Sequence, residues 1–271
     1  METQTWRKIL VPYDLAVQEL VVKFEHMIEQ YQQAGKYSPI EQVHGRVKKI
    51  ASILEKARRK GIPDAEIVEK IDDIAGIRLI CQFTDDIEQV VEIIRNRSDM
   101  TIINEIDYIH DPKDSGYRSY HMNISYEVET IYGSKKIPVE IQIRTLAMNF
   151  WATIEHSLKY KFNGEMPVEI SRRLMASAQA VQALDSEMSS IRDIVVDAQQ
   201  LFREKAAVVA DIHNNLANLS QQFVGAEYAI QNIRDEFEQI YLHGTFDELL
   251  DFSQRLDKLT ESRKIQSLPN I

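Results

Sequence analysis

Two carboxylate positions and a cluster of cations carry the chemical potential of this chain. Asp72-Asp73 stands just before Ile74-Ala75-Gly76-Ile77-Arg78, and Glu140 lies in Val139-Glu140-Ile141-Gln142-Ile143-Arg144. Carboxylate oxygens are hard donors of the kind Mg²⁺ takes, one or two at a time, with substrate phosphates and waters completing its shell. The run His44 to Lys60 holds seven Lys or Arg and one acid, Glu55. So many cations in one place suggest an anionic ligand, because charge-assisted bonds to phosphate are the strong kind. Tyr117, in Ser115-Gly116-Tyr117-Arg118-Ser119, could stack on a nucleobase, with Lys113 and His121 in reach of that nucleotide's phosphates. Each feature also has a simpler reading: a solvated helix end for the Asp pair, an ion pair with Arg144 for Glu140, a wet helix face for the cations, packing for Tyr117.

Strand periodicity decides which of these groups share a surface. Side chains on a strand switch face at every residue. Ile77, Leu79, Cys81 and Phe83 share one face and Arg78 takes the other. Tyr120, Met122 and Ile124 oppose Ser119, His121 and Asn123, and Val139, Ile141 and Ile143 oppose Glu140, Gln142 and Arg144. The pattern predicts a sheet with one greasy face and one face gathering Arg, His, Asn, Glu and Gln.

The elements that must hold these strands follow from helical spacing and stop signals. Helices are expected over residues 6–34, 44–60, 84–96 and 146–161, the last ended by Asn163-Gly164. In the second, Arg46, Lys49 and Lys56 would stack along one face. Strands are expected over 76–83, 101–108, 119–128 and 137–144, the last two joined by a turn at Tyr132-Gly133-Ser134. From Pro167 to about Lys264 the pattern is helical, broken near Gly225 and at His243-Gly244-Thr245, with an apolar stripe through Leu174, Ala178, Val181, Leu184, Met188, Ile191 and Val195. The fold class is α+β: a mixed or antiparallel sheet flanked by helices, with a first domain over 1–164 that holds the candidate chemical groups and a C-terminal helical extension over 165–271, expected to serve oligomerisation.

Composition narrows the function classes. The 271 residues carry a formal charge of −10, which excludes a globally basic nucleic-acid-coating protein and leaves room for a local patch. The acid excess is concentrated at the back, where residues 165–271 hold 10 basic and 17 acidic side chains. No run is apolar enough to span a bilayer, and the first residues lack signal-peptide character. A single cysteine, Cys81, excludes an intramolecular disulfide and reads as a buried small hydrophobe in a reduced, cytoplasmic protein. His110-Asp111 reads as loop rather than as a metal doublet, and His156 is as readily a core histidine as a ligand.

Five segments then carry a resemblance: His44-Gly45-Arg46-Val47-Lys48, Asp73-Ile74-Ala75-Gly76-Ile77-Arg78, Ser115-Gly116-Tyr117-Arg118-Ser119-Tyr120-His121, Val139-Glu140-Ile141-Gln142-Ile143-Arg144-Thr145 and Trp151-Ala152-Thr153-Ile154-Glu155-His156. In this order they resemble the synthetase domain of the RelA/SpoT family. Val11-Pro12-Tyr13 near the start is similar to its small alarmone synthetases of the RelQ type. The resemblance covers roughly residues 1–205, and no motif matches beyond. It implies a nucleotidyltransferase-like fold and a pyrophosphokinase that moves the β,γ-pyrophosphate of ATP to the ribose 3′-hydroxyl of GTP or GDP, making pppGpp or ppGpp. It implies that Arg46, Lys48, Ser52, Lys56, Arg59 and Arg78 hold ATP, and that Asp73 and Glu140 bind Mg²⁺, with Glu140 also the base. It places Lys113, Tyr117, His121, Gln142 and Asn149 around the acceptor. Asp72 is extra to the motif. The resemblance further implies a homotetramer, with alarmone and single-stranded RNA as possible effectors and neither membrane nor DNA as a partner. The 43 residues before His44 are too few for the hydrolase domain of the long members, so synthesis without degradation is expected. Two rival readings stay open: a nucleotide- or RNA-sensing module without turnover, and a helical scaffold.

Overall fold

The computed structural model describes residues 3–162, 166–222 and 227–266. The chain forms two compact units, residues 1–190 and 191–271. The expected division after residue 164, the stop at Asn163-Gly164 and the break near Gly225 lie outside the described residues.

In the first unit, helix α1 (Thr3–Gln33) leads into strand β1 (Gln42–Val47) and helix α2 (Ile50–Lys60). A 3-10 turn and the short α3 (Ile67–Lys70) precede β2 (Ala75–Cys81) and α4 (Thr84–Arg95). Then come β3 (Thr101–Asp107), the hairpin β4 (Tyr120–Thr130) and β5 (Gly133–Thr145), α5 (Leu146–Lys161) and the long α6 (Val168–Gln222). The five strands lie in the order β1-β2-β5-β4-β3, with β2 and β5 parallel and the other pairs antiparallel. The sheet is therefore mixed, one of the two forms that the hairpin turn allows.

The greasy face is the core. Ile77, Leu79 and Cys81 from β2, Met122 and Ile124 from β4, and Val139, Ile141 and Ile143 from β5 are all buried with Leu20 and Phe24 of α1 and Ile87, Val90 and Ile94 of α4. Burying a side chain of this size contributes about 1.5–3 kcal/mol, so the apolar alternation sets the strand faces. At the start of α4 the buried Asp86 accepts from the Phe83 backbone N–H at 3.0 Å and from the Tyr37 hydroxyl at 2.6 Å.

The front of the cation island departs from expectation. Residues 44–60 are not one helix: His44, Gly45, Arg46 and Val47 belong to β1 and pair with Arg78, Ile77, Gly76 and Ala75. Tertiary pairing overrides the local helical spacing, and Gly45 shows why. A Cβ there would stand 2.5 Å from Val17 Cγ1 and 2.6 Å from Val21 Cγ2, so only glycine lets β1 lie against α1. Arg46 and Lys49 consequently share no helix face with Lys56.

Two readings left open by the sequence are decided. His156 is exposed rather than a core histidine, and its neighbour Glu155 is the buried one, bonded to Lys159 at 2.6 Å. The α6 stripe divides: Leu174, Ala178 and Val181 pack within the first unit with Trp151 and Tyr117, while Leu184, Met188, Ile191 and Val195 are exposed.

The second unit has its own core. Ile212, Leu216 and Leu219 of α6 meet Phe237 of α7 (Glu227–His243) and Leu249, Phe252 and Leu256 of α8 (Phe246–Gln266). The break at His243-Gly244-Thr245 is where the sequence places it. Thr245 and Glu248 cap α8 reciprocally, with Thr245 N–H donating to Glu248 Oε2 at 2.7 Å and Glu248 N–H to Thr245 Oγ1 at 3.3 Å.

Asp185 of α6 is 4% exposed and accepts one hydrogen bond, from Thr145 Oγ1 at 2.8 Å. Burial pushes its carboxyl up to about 6. Ionising it therefore costs the folded state as pH rises from the ordinary carboxylate range through 6. Asp185→Asn should raise the thermal midpoint at pH 8, by the equivalent of about 3 kcal/mol. The gain should shrink as pH falls through 6 and vanish near 4, as read by melting curves across that range.

Candidate active site

Strand register builds the site. Across β1, β2, β5 and β4 one row aligns Arg46, Gly76, Glu140 and Asn123, and the next aligns His44, Arg78, Gln142 and His121. Adjacent strands lie about 4.8 Å apart, so each row is a line of neighbouring side chains on the polar face. His44, Arg46, Arg78, Glu140 and Gln142 line one cleft together with Asp73, which enters from the turn before β2. The two carboxylates expected to cooperate thus face the same space. Asp72 is exposed and does not line the cleft.

Asp73 is gripped by two cations. Its Oδ2 accepts from Lys48 Nζ at 2.6 Å and from Lys56 Nζ at 2.8 Å. Burial works to raise its pKa, but the two ammonium groups outweigh it and hold the carboxyl below the usual carboxylate range. Its Oδ1 is buried with no hydrogen-bond partner. Ser52 and Arg59 flank Lys56 at four and three residues along α2, so they share its side of the helix.

Glu140 is held from both sides. Oε1 contacts His121 Nδ1 at 3.1 Å, and Oε2 accepts from Gln142 Nε2 at 2.6 Å. Burial raises its pKa, and the contacts with His121 and Gln142 overcome that and keep it below the ordinary value. The simpler reading of Glu140, an ion pair with Arg144, is not what forms: Gln142 stands between, its Oε1 accepting from Arg144 Nη2.

Tyr117 extends the chain of contacts. Its hydroxyl meets His121 Nε2 at 2.8 Å. Burial raises its pKa, so the hydroxyl stays protonated. Lys113 Nζ lies 5.0 Å from the Tyr117 ring and 4.4 Å from that of Tyr108. The loop bearing Lys113 and Tyr117 packs on α6 at Gly116, which takes a φ of +87° and where a Cβ would stand 2.6 Å from Ala178 Cβ, so a side chain is excluded. Arg118 adds a bond to Gln182 at 2.8 Å. Asn149 sits half-buried in the first turn of α5, its Oδ1 unpartnered, outside the cleft lining.

Sequence reasoning missed His44 and Tyr108. His44 is legible in the alternation of Gln42, His44 and Arg46 against Val43, Gly45 and Val47, which the cation density masked. Tyr108, edge-on to Tyr117 and His121 at 6.0 and 5.1 Å, had no pattern to mark it.

Residues 45–165 match the family described as "Region found in RelA / SpoT proteins". Bacillus subtilis GTP pyrophosphokinase YjbM is 52% identical over 205 residues, 76% of this chain and 97% of that protein. The chain belongs to the small alarmone synthetases of the RelA/SpoT family. A crystal structure of B. subtilis small alarmone synthetase 1 bound to its product pppGpp superposes with a TM-score of 0.69 at 53% identity, covering 71% of this synthetase and 98% of that chain. A second relative, GTP pyrophosphokinase YwaC of B. subtilis, is 38% identical over 70% of this synthetase and 91% of its own length.

Asp73→Asn would leave Lys48 and Lys56 facing each other without a counter-charge. It should cost about 2 kcal/mol at neutral pH, read by denaturant unfolding without divalent cations. A lowered carboxyl pKa contributes stability above the unfolded range and loses it as pH falls through the folded value. The variant should therefore also show a shallower loss of stability below pH 4 than the parent.

Proposed function

We propose that this protein is a Mg²⁺-dependent GTP pyrophosphokinase of the cytoplasm, moving the β,γ-pyrophosphate of ATP to the ribose 3′-hydroxyl of GTP or GDP. The observation that carries the proposal is the single cleft faced by Asp73, Glu140, Arg46 and Arg78, with Tyr117 linked to Glu140 through His121.

Arg46 and Arg78, aided by Lys48, Ser52, Lys56 and Arg59 along β1 and α2, take the ATP side. Their cations face phosphate oxygens, where charge-assisted bonds are strongest. Tyr117 stacks on guanine, with Lys113, His121, Gln142 and Asn149 around the acceptor. Glu140, ionised at neutral pH, accepts the 3′-hydroxyl proton as that oxygen bonds to the β-phosphorus and the bond to the α-phosphate oxygen breaks, releasing AMP. Most of the rate enhancement then comes from positioning and charge, since phosphoryl transfer asks for little covalent chemistry from the protein.

The residues fit a magnesium ion. Asp73 and Glu140 offer hard oxygens to one cleft, and the buried, unpartnered Asp73 Oδ1 is a free donor there. Asp73 and Glu140 would hold Mg²⁺, which would neutralise phosphoryl charge and lower the hydroxyl's pKa. The presence of both carboxylates speaks against a module that binds without turnover.

A homotetramer belongs to this reading. Leu146, Phe150 and Ile154 form an exposed apolar ridge along α5, four residues apart. Light scattering should give a tetramer mass for the parent, and Phe150→Glu should shift it to smaller species.

Incubation with ATP, GTP and Mg²⁺ should yield 3′-pyrophosphorylated guanosine and AMP, resolved by chromatography. Glu140→Gln should cut the rate by about 10²–10⁴-fold while ATP and GTP binding stay measurable by calorimetry. A folded parent without product, or a fully active Glu140→Gln, overturns the assignment.

A further inference from the structure

Arg144 has no part in the roles assigned above, yet it contacts two of the residues that do, Gln142 and Tyr117. It is 3% exposed near the end of β5. Its Nη2 donates to Gln142 Oε1, and its Nε is buried without a partner. Its guanidinium carbon lies 5.6 Å from the centre of the Tyr117 ring. A guanidinium desolvated this far is costly unless neighbours compensate. Here the compensation comes from a π-face and an amide carbonyl, while Glu140 acts at longer range.

The direction of the hydrogen bonds shows what Arg144 does. A primary amide has a carbonyl and an NH₂ of nearly equal shape, so Gln142 can turn either way. Arg144 is donor-only, so it fixes the Gln142 carbonyl toward itself. The NH₂ is then left to donate to Glu140 Oε2 at 2.6 Å. With the amide reversed, a carbonyl oxygen would face the carboxylate and repel it. On the other side, Tyr117 reaches Glu140 Oε1 through His121, with contacts of 2.8 and 3.1 Å. The five side chains close a circuit: Arg144, Gln142, Glu140, His121, Tyr117 and back to Arg144 through the ring face.

We propose that Arg144 is a positioning residue that ties the acceptor's stacking ring to the carboxylate that takes its proton, by supporting Tyr117 and orienting the Gln142 amide. This deepens the pyrophosphokinase reading and rests on it. Misplacing reacting groups by about an ångström can cost as much as 10²-fold in rate, so the effect should appear in kcat.

The test compares the full chain with Arg144→Met, which keeps length and removes charge and donors, using ATP with GTP and, separately, with GDP. The variant should stay folded, keep its KM for ATP within about twofold, and lose about tenfold or more in kcat, equally with both acceptors. The combined loss in Arg144→Met/Gln142→Leu should fall well short of the product of the two single losses, because the residues act as one unit. Unchanged kcat in an active background overturns the proposal alone. So does a full product of losses, or a loss confined to the acceptor KM and larger for GTP than for GDP, which would mark Arg144 as a phosphate ligand. If Arg144→Met lacks a cooperative thermal transition, Arg144→Gln is held to the same thresholds. A parent chain that makes no product overturns the reading under Proposed function and this inference with it.

Discussion

The parallel pairing of β2 with β5 sets Gly76 opposite Glu140 and Arg78 opposite Gln142. Everything chemical in the molecule depends on that register. A slip of one residue would turn Glu140 into the core and Ile141 into the cleft, because side chains alternate at every position. The buried faces of both strands make such a slip prohibitively expensive. Hydrophobic burial therefore holds the polar constellation in place, although none of the polar groups contributes much to that burial.

The polar face is an electrostatic compromise. Asp73 and Glu140 are drawn out of water by the fold and kept ionised by several donors: Lys48 and Lys56 of the β1–α2 segment for Asp73, and His121 of β4 with Gln142 of β5 itself for Glu140. For Glu140 its own strand supplies only one of the two contacts. The site is in this sense a property of the sheet, and the unpartnered oxygen of Asp73 is the place where the compromise is left open.

The alternation that exposes Glu140, Gln142 and His121 on one face was readable from the chain alone, as were the hairpin and the helices around it. The boundary between β1 and α2 was not. Lys and Arg density at helical spacing suggested one continuous helix, and the decisive fact was spatial: Gly45 lies against Val17 and Val21 of α1, a contact between residues far apart in sequence. The alternative of a Glu140–Arg144 ion pair is set aside for a similar reason. Residues two apart on a strand share a face, but Gln142 also occupies that face between them and takes the contact from both sides.

Residue types and periodicities by themselves determined which groups could do chemistry, which strand faces they would occupy and that a helical tail would follow, because amphipathic periodicity is a local property carried by the chain. Only the tertiary structure decided that Asp73 is bridged by Lys48 and Lys56, that the Tyr117 loop packs on α6 at Gly116, and that Arg144 closes a circuit back to Tyr117. Those contacts join residues up to tens of positions apart. Their geometry is set by strand order and packing distance, which no local pattern encodes.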